Sequence, residues 1–181
     1  YMKGDSGDNV AEVAMQYNDS YNELLLSFAN NINTGEGGTH EDGFKQALTR
    51  VLNAYARKNN LLKDSDKNLS GEDCREGLTA IISVKLREPQ FEGQTKGKLG
   101  NTEMRQVVSA IVTNKLTTYF EENPQVARTI IEKAITASRA AEAARKAREA
   151  TRRKSPLEGV GLPSKLKDCS ERNNERTELF I

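Results

Sequence analysis

The pattern of residues 123–155 predicts one long helix. Its second half lacks the large apolar side chains that would pack against a core. Apolar side chains recur at helical spacing as far as Ile135, but from Ala137 onward alanine, glutamate, arginine and lysine dominate. Alanine is the best helix former, so such a helix can persist without packing against a neighbour. We therefore predict that residues 123–155 form a protruding C-terminal helix that ends before Pro156.

Upstream of that helix, strand and helix patterns interleave, which indicates an α+β domain at residues 12–122. Residues 1–11 are polar and are predicted to be a tail. The first two strand patterns are separated by turn residues and could pair as a hairpin. Strand patterns cover residues 12–17, 24–31 and 78–86, and helix patterns cover residues 40–59 and 102–122.

Two helix starts have capping signals. Thr39 precedes two acidic residues and is a plausible N-cap for the helix at residues 40–59. Ser70 opens a Ser-Gly-Glu-Asp pattern, which predicts a capping box and a short helix ending near Gly77.

Composition excludes several classes of protein. Lys and Arg number 27 against 26 Asp and Glu, so net charge alone does not indicate nucleic-acid binding. The single histidine excludes a multi-histidine metal site, and no metal site is expected. No apolar run approaches the roughly 20 residues of a membrane span, so we expect no membrane contact. Cys74 and Cys169 are expected to be reduced thiols of a cytoplasmic protein. Because the sequence starts at Tyr1 and not at a methionine, we expect it to be a piece of a longer chain.

The glycine-rich loop at residues 89–101 carries the first candidate site. Gln94 supplies an amide, Thr95 a hydroxyl and Lys96 a positive charge, a set that suits a terminal phosphate. The loop lacks the Gly-x4-Gly-Lys-Ser/Thr pattern of a P-loop. An ordinary polar surface loop remains the alternative interpretation.

The basic half of the long helix is the second candidate. Residues 139–154 contain seven basic side chains and only two glutamates, which gives this segment a net charge of +7 − 2 = +5. Such a stripe could neutralise phosphates of a duplex without sequence preference, or it could simply keep an exposed helix soluble. The candidate DNA-backbone contacts are Arg139, Arg145, Lys146, Arg148, Arg152 and Arg153.

His40 is flanked by Glu36 and Glu41, so an acid–base pair is conceivable. A helix start with acidic residues in its first turn explains the same residues more simply. No catalytic residue is predicted in this chain.

Several runs, in order, resemble the ATPase subunits of bacterial type IIA topoisomerases. The details at residues 13–17 and 89–91 are more similar to gyrase B than to topoisomerase IV. The matching runs are residues 36–41, 43–45, 75–80, 89–100, 143–149 and 162–169.

This resemblance implies a ribosomal protein S5 domain 2-like transducer domain, a long basic helix, and at residues 156–181 a linker and the start of a TOPRIM domain. It implies that Lys96 is the cation for the ATP γ-phosphate, that Gln94 is its hydrogen-bonding partner, and that Thr95 lies beside them. The full subunit would use ATP and Mg²⁺ to drive DNA strand passage and negative supercoiling. It would act with a second B subunit and the gyrase A subunit on duplex DNA.

The resemblance also implies limits. Without the nucleotide pocket and the TOPRIM metal site, this chain alone is expected to be inactive and to bind no cofactor. Three alternatives remain open: a topoisomerase IV transducer, a free-standing nucleic-acid-binding module with salt-dependent duplex affinity, and a nucleotide-dependent scaffold with no DNA role.

Overall fold

The computed structural model describes residues 1–63 and 65–153 of the chain. It divides into two compact units, residues 1–140 and 141–181. The strands of the described residues lie in the first unit and are β1 (Met2–Ser6), β2 (Asn9–Tyr17), β3 (Leu24–Ala29), β4 (Ile32–Asn33), β5 (Leu78–Lys85), β6 (Phe91–Glu92) and β7 (Lys98–Leu99). The helices are α1 (Thr39–Lys58), α2 (Gly71–Arg75), α3 (Thr102–Glu122) and α4 (Pro124–Arg153).

Five strands form a mixed sheet in the order β1-β2-β5-β3-β4. β5 pairs antiparallel with β2 and parallel with β3. The predicted hairpin between the first two strand patterns is therefore wrong, because β5 lies between them. Leu78, Ile82 and Val84 of β5 are fully buried, and a strand with this much apolar surface is most stable in the centre of the sheet.

The predicted N-terminal tail is also wrong. Residues 1–11 contain all of β1 and the start of β2, and these two strands pair antiparallel. Met2 is buried opposite Val13, and Ala11 is fully buried. Most residues of β1 are polar because only one face of the strand packs against the core. Its sequence therefore shows no clear strand pattern.

Helices α1 and α3 supply the other half of the core, on one face of the sheet. Their buried apolar side chains belong to the same hydrophobic core as the buried residues of the strands. The mixed α/β class is confirmed. The fully or nearly fully buried helix residues include Phe44, Leu48 and Leu52 of α1 and Val108, Val112, Leu116 and Phe120 of α3.

Local signals for helix ends were partly correct. The capping box is present, since Ser70 Oγ accepts from the Asp73 amide at 3.1 Å and Asp73 Oδ2 accepts from the Ser70 amide at 2.9 Å. The break between α3 and α4 falls at Asn123, as predicted. Thr39 is not the cap of α1; Gly38 holds that position, and the Thr39 hydroxyl donates to the Asn101 carbonyl instead.

The long helix is confirmed as α4. Within the first unit its Ala127, Ile131, Ala134 and Ala137 are buried. In the second unit, every residue from 141 to 151 is exposed. The linker and TOPRIM start predicted at residues 156–181 lie outside the described residues.

Cys74 is a free thiol buried in the core, and burial raises its pKa to about 12. The thiol therefore stays protonated at neutral pH and is a poor nucleophile. Cys169, the other predicted thiol, lies outside the described residues.

We expect Gly43→Ala to destabilise the protein by about 1–2 kcal/mol. A Cβ at Gly43 of α1 would overlap the backbone oxygen of Arg105 in α3. That overlap costs about 1–3 kcal/mol, which exceeds the gain of up to about 1 kcal/mol from replacing glycine in a helix. The measurement is the free energy of unfolding in urea.

Gly71→Ala is the matched control, because its new Cβ would meet the flexible end of the Arg75 side chain at 2.6 Å and Thr49 Oγ1 at an ordinary contact distance of 3.6 Å, but no backbone atom of another helix. A Gly43→Ala protein as stable as the wild type would contradict the close backbone approach of α1 and α3.

Candidate functional site

The glycine-rich loop is a small hairpin with an exposed tip. β6 and β7 pair antiparallel, so the glycine-rich loop predicted at residues 89–101 contains two short strands. Residues 93–96 form the turn, and the Lys96 amide bonds to the Gly93 carbonyl at 3.4 Å. Gln94, Thr95 and Lys96 are all exposed, so the three predicted phosphate ligands lie together on the surface.

The two lysines of the hairpin differ in their pairing. Lys98 Nζ lies 2.8 Å from Glu92 Oε2, and this ion pair raises the Lys98 pKa. Among the described residues, Lys96 has no hydrogen-bond or ion-pair partner for its side chain. Its backbone φ of 55° lies in the left-handed region that few non-glycine residues adopt. Lys96 is therefore the uncompensated positive charge at the tip.

The base of the hairpin is held against the start of α1. The Glu36 amide donates to the Gly97 carbonyl at 2.9 Å, and the Leu99 amide donates to the Gly37 carbonyl at 3.2 Å. Leu99 is fully buried. The exposed tip thus stands on a hydrogen-bonded, packed base.

Asn101 closes the loop from the other side. Its Oδ1 accepts from the Gln90 amide at 2.6 Å, and its Nδ2 donates to the Glu88 carbonyl at 3.2 Å and to Glu103 Oε1 at 2.7 Å. The residue is 4% exposed. Sequence reasoning missed Asn101, although an asparagine directly before a helical pattern is a recognisable signal for a polar junction.

His40 belongs to a buried polar cluster rather than to an accessible acid–base pair. The residue is fully buried, and its Nε2 lies 3.1 Å from Thr34 Oγ1. Thr34 in turn bonds to Ser27, whose hydroxyl also donates to Glu41 Oε2 at 3.0 Å. Burial lowers the His40 pKa to about 4, against the opposing effect of Glu41 and Asp42. A neutral, enclosed imidazole fits a structural role.

The basic residues of α4 do not share one environment. Arg139, Arg145, Lys146 and Arg148 are exposed. Lys146 is paired with Glu142 at 2.9 Å, so its charge is largely compensated. Positions 145 and 148 are three apart and lie on the same side of a helix. Positions 152 and 153 fall in the last turn of α4.

The family model described as DNA gyrase B matches residues 1–150. This chain belongs to the DNA gyrase B family. The resemblance to type IIA topoisomerases is therefore confirmed at the level of the family.

Curated relatives agree over the whole chain. The DNA gyrase B protein of Clostridium acetobutylicum is 62% identical over 100% of this chain, and that of Halalkalibacterium halodurans is 58% identical over the same share. The chain spans 29% and 28% of the length of these relatives.

Solved structures agree on the fold. The 43K ATPase domain of Thermus thermophilus gyrase B has a TM-score of 0.76 at 45% identity, covering 82% of this chain and 40% of that one. The ATP-binding domain of Francisella tularensis topoisomerase IV has a TM-score of 0.70 at 32% identity, covering 76% and 38%. The fold is thus that of part of the gyrase B ATPase region, and the transducer assignment stays a prediction.

Residues 1–63 and 65–153 contain neither a membrane-spanning helix nor a metal-binding cluster. Within this range no helix is long and apolar enough to cross a bilayer. The same range holds no group of three or more histidine, cysteine or acidic side chains placed to bind a metal ion.

We expect the free energy of unfolding to decrease as the pH is lowered from 6.5 to about 4, because His40 is buried in its neutral form. Its folded pKa of about 4 lies below the ordinary value of 6.5, so the unfolded state binds more protons in this interval. Stability is fully present above pH 6.5 and declines as the pH falls, by about 2–3 kcal/mol in total. The measurement is urea unfolding of the wild type and His40→Gln at pH 7 and pH 4.

Carboxylates that do not interact with His40 have the same effect in both proteins and cancel in the comparison. If the wild type and His40→Gln lose the same stability on acidification, the buried neutral state of His40 is not what drives the loss.

Proposed function

We propose that this chain is the transducer part of a gyrase B protein. In this role, the tip at residues 94–96 senses the outermost phosphate of a bound nucleotide. The hairpin base then passes the nucleotide state to α1 and α3. The observation that carries the proposal is an exposed lysine without a described partner, standing on a base that is bonded to the start of both helices.

The side chains of the tip suit a phosphate. Lys96 offers a positive charge, Gln94 an amide donor and Thr95 a hydroxyl donor, and none of them has to be released from a described neighbour first. A terminal phosphate oxygen can accept from all three groups. Lys98 is a poorer candidate because Glu92 already neutralises it.

The position of the chain within its family supports the same role. It corresponds to two fifths of the Thermus 43K ATPase domain. In our proposal the rest of that region holds ATP and Mg²⁺, and this chain adds the tip to the nucleotide site from outside. The chain alone then has no complete active site.

A contact made only to the terminal phosphate is enough to drive a change of state. A ligand shifts an equilibrium by its difference in affinity for the two states. A hydrogen bond to a charged group contributes about 1.5–3 kcal/mol, and losing it releases the hairpin. The hairpin base is hydrogen-bonded to residues 36–37 and to Asn101. Release of the hairpin therefore displaces the residues at which α1 and α3 begin.

Exposed arginines on α4 are proposed to contact the backbone of duplex DNA. Arg139, Arg145 and Arg148 can each neutralise a phosphate, whereas Lys146 contributes less because it is paired. In the full cytoplasmic enzyme the protein would pair with a second copy of gyrase B and with gyrase A. Together they would couple ATP hydrolysis to strand passage and negative supercoiling.

A topoisomerase IV ATPase subunit is the second candidate. The 32% identity and TM-score of 0.70 with the Francisella structure favour it, whereas the family model and the curated relatives favour gyrase. Introduction of negative supercoils by the assembled enzyme would decide for gyrase.

In the complete protein, Lys96→Ala should lower ATP turnover by about 10- to 100-fold. This corresponds to the loss of one charge-assisted hydrogen bond to the phosphate. The measurement is the steady-state ATPase rate of the reconstituted enzyme with DNA.

Lys98→Ala is the matched control, since it removes a lysine from the same hairpin that is already paired with Glu92. Turnover unchanged by Lys96→Ala, or reduced equally by both variants, would refute phosphate sensing by Lys96.

Replacing both Arg145 and Arg148 by glutamate should weaken duplex binding by the reconstituted enzyme. It should also reduce the salt dependence of the affinity, because fewer counterions are released. The measurement is the dissociation constant at several salt concentrations, for two unrelated duplex sequences.

Arg128→Glu is the comparison variant. Arg128 is on the same helix but already pairs with Glu132 at 2.8 Å. A salt dependence identical in the wild type and the Arg145/Arg148 variant would exclude these arginines from the DNA contact.

A further inference from the structure

We propose that Thr39 and Asn101 are positioning residues that join the sensing hairpin to α1 and α3. This inference rests on the proposed function of Lys96 and adds the route by which the hairpin acts on the domain. It concerns two residues that touch neither nucleotide nor DNA in that proposal.

The two residues meet where both helices begin. Thr39 is the first residue of α1, and Asn101 directly precedes α3. The Thr39 hydroxyl donates to the Asn101 carbonyl at 2.6 Å, and the same carbonyl accepts from the Met104 amide in the first turn of α3 at 3.2 Å. Thr39 is 8% exposed and Asn101 is 4% exposed, so this is an enclosed junction.

Neither side chain caps the helix that it starts. Threonine and asparagine near a helix N-terminus usually bond to free amides of the first turn. Here no side-chain cap bond is present at either helix start. The Thr39 hydroxyl bonds across the junction instead, and the Asn101 side chain bonds to the segment before β6 and to Glu103.

The Asn101 side chain connects this junction to the loop. It binds the Gln90 amide and the Glu88 carbonyl, which lie just before β6, while Asn101 itself follows β7 by two residues. One amide group thus closes the loop that carries Lys96. A displacement of the hairpin moves Asn101, and through its carbonyl moves Thr39 and the start of α1.

A second bonded path ties the same elements together. Residues 36 and 37 bond directly to Gly97 and Leu99, and they lie just before Thr39. To this backbone path the Thr39 hydroxyl adds the side-chain bond that joins the start of α1 to the start of α3. Its removal should loosen transmission while the tip and its phosphate contacts stay in place.

The test uses the complete protein, reconstituted into the holoenzyme, with Thr39→Val, Thr39→Ser, Thr49→Val and Lys96→Ala. Valine keeps the shape of threonine but removes the hydroxyl, and serine restores it. Thr49 is the control on the same helix, because its hydroxyl bonds within α1 to the Lys45 carbonyl. The measurements are KM and kcat for ATP, the supercoils introduced per ATP hydrolysed, and the melting temperature.

We expect Thr39→Val to reduce supercoils per ATP by about 2- to 10-fold, the value of one intramolecular hydrogen bond. Its KM for ATP should stay within about twofold of the wild type. Thr39→Ser should recover most of the coupling, and Thr49→Val should resemble the wild type.

Equal coupling in Thr39→Val and Thr49→Val would overturn the inference. So would a parallel fall of ATP turnover, supercoiling and melting temperature, which indicates a purely structural bond. If Thr39→Val does not fold, Asn101→Asp gives the second test. It keeps the acceptor for the Gln90 amide but loses the donors to the Glu88 carbonyl and to Glu103 Oε1, and normal coupling in it would also overturn the inference.

The Lys96→Ala arm separates the two proposals. Unchanged ATP turnover in Lys96→Ala would refute the proposed function itself. Reduced turnover in Lys96→Ala, together with normal coupling in Thr39→Val, would refute only the junction.

Discussion

Two stretches of backbone, residues 36–38 and 97–99, lie in direct contact, and Gly38 makes that contact possible. A Cβ at Gly38 would lie 2.5 Å from the carbonyl oxygen and 2.6 Å from the nitrogen of Leu99. The Gly38 φ of 138° is also a conformation that side chains rarely allow. Without this approach, the hairpin base could not bond to residues 36 and 37, and the tip would be an unsupported loop. This backbone contact connects the hairpin that carries the exposed Lys96 to the two core helices.

Buried polar side chains surround this contact and are almost completely satisfied. Ser27, Thr34 and His40 form one cluster beneath the turn, and Thr39 with Asn101 forms the junction above it. An unpaired polar group in such a place costs about 1–3 kcal/mol. Among the side-chain nitrogen and oxygen atoms of the described residues, only His40 Nδ1 is buried without a hydrogen-bond partner. Such a network favours one arrangement strongly over its neighbours, which suits a base that has to transmit displacement rather than absorb it.

Local chemistry explains which predictions succeeded. The capping box at Ser70 and the break at Asn123 depend on short-range propensities, and the structure confirms both. The predicted long helix is present as α4 up to Arg153, where the described residues end. The exposure of residues 94–96 was likewise implied by their polarity and glycine flanks. Pairing of β2 with β5 could not be predicted in the same way, because strand partners are chosen by long-range packing. The strand β1 was missed because its only strong apolar anchor is Met2.

The sequence by itself determined the long alanine-rich helix, the chemical character of the tip and the membership of the gyrase B family, because each depends on residue type and order along the chain. Tertiary structure decided which charges are free. Lys98 looks like Lys96 in the sequence, but the hairpin places Glu92 beside it and the two charges compensate each other. It also decided that the Thr39 hydroxyl bonds to the Asn101 carbonyl instead of capping α1, since hydrogen bonds between residues 62 positions apart arise only when the chain has folded.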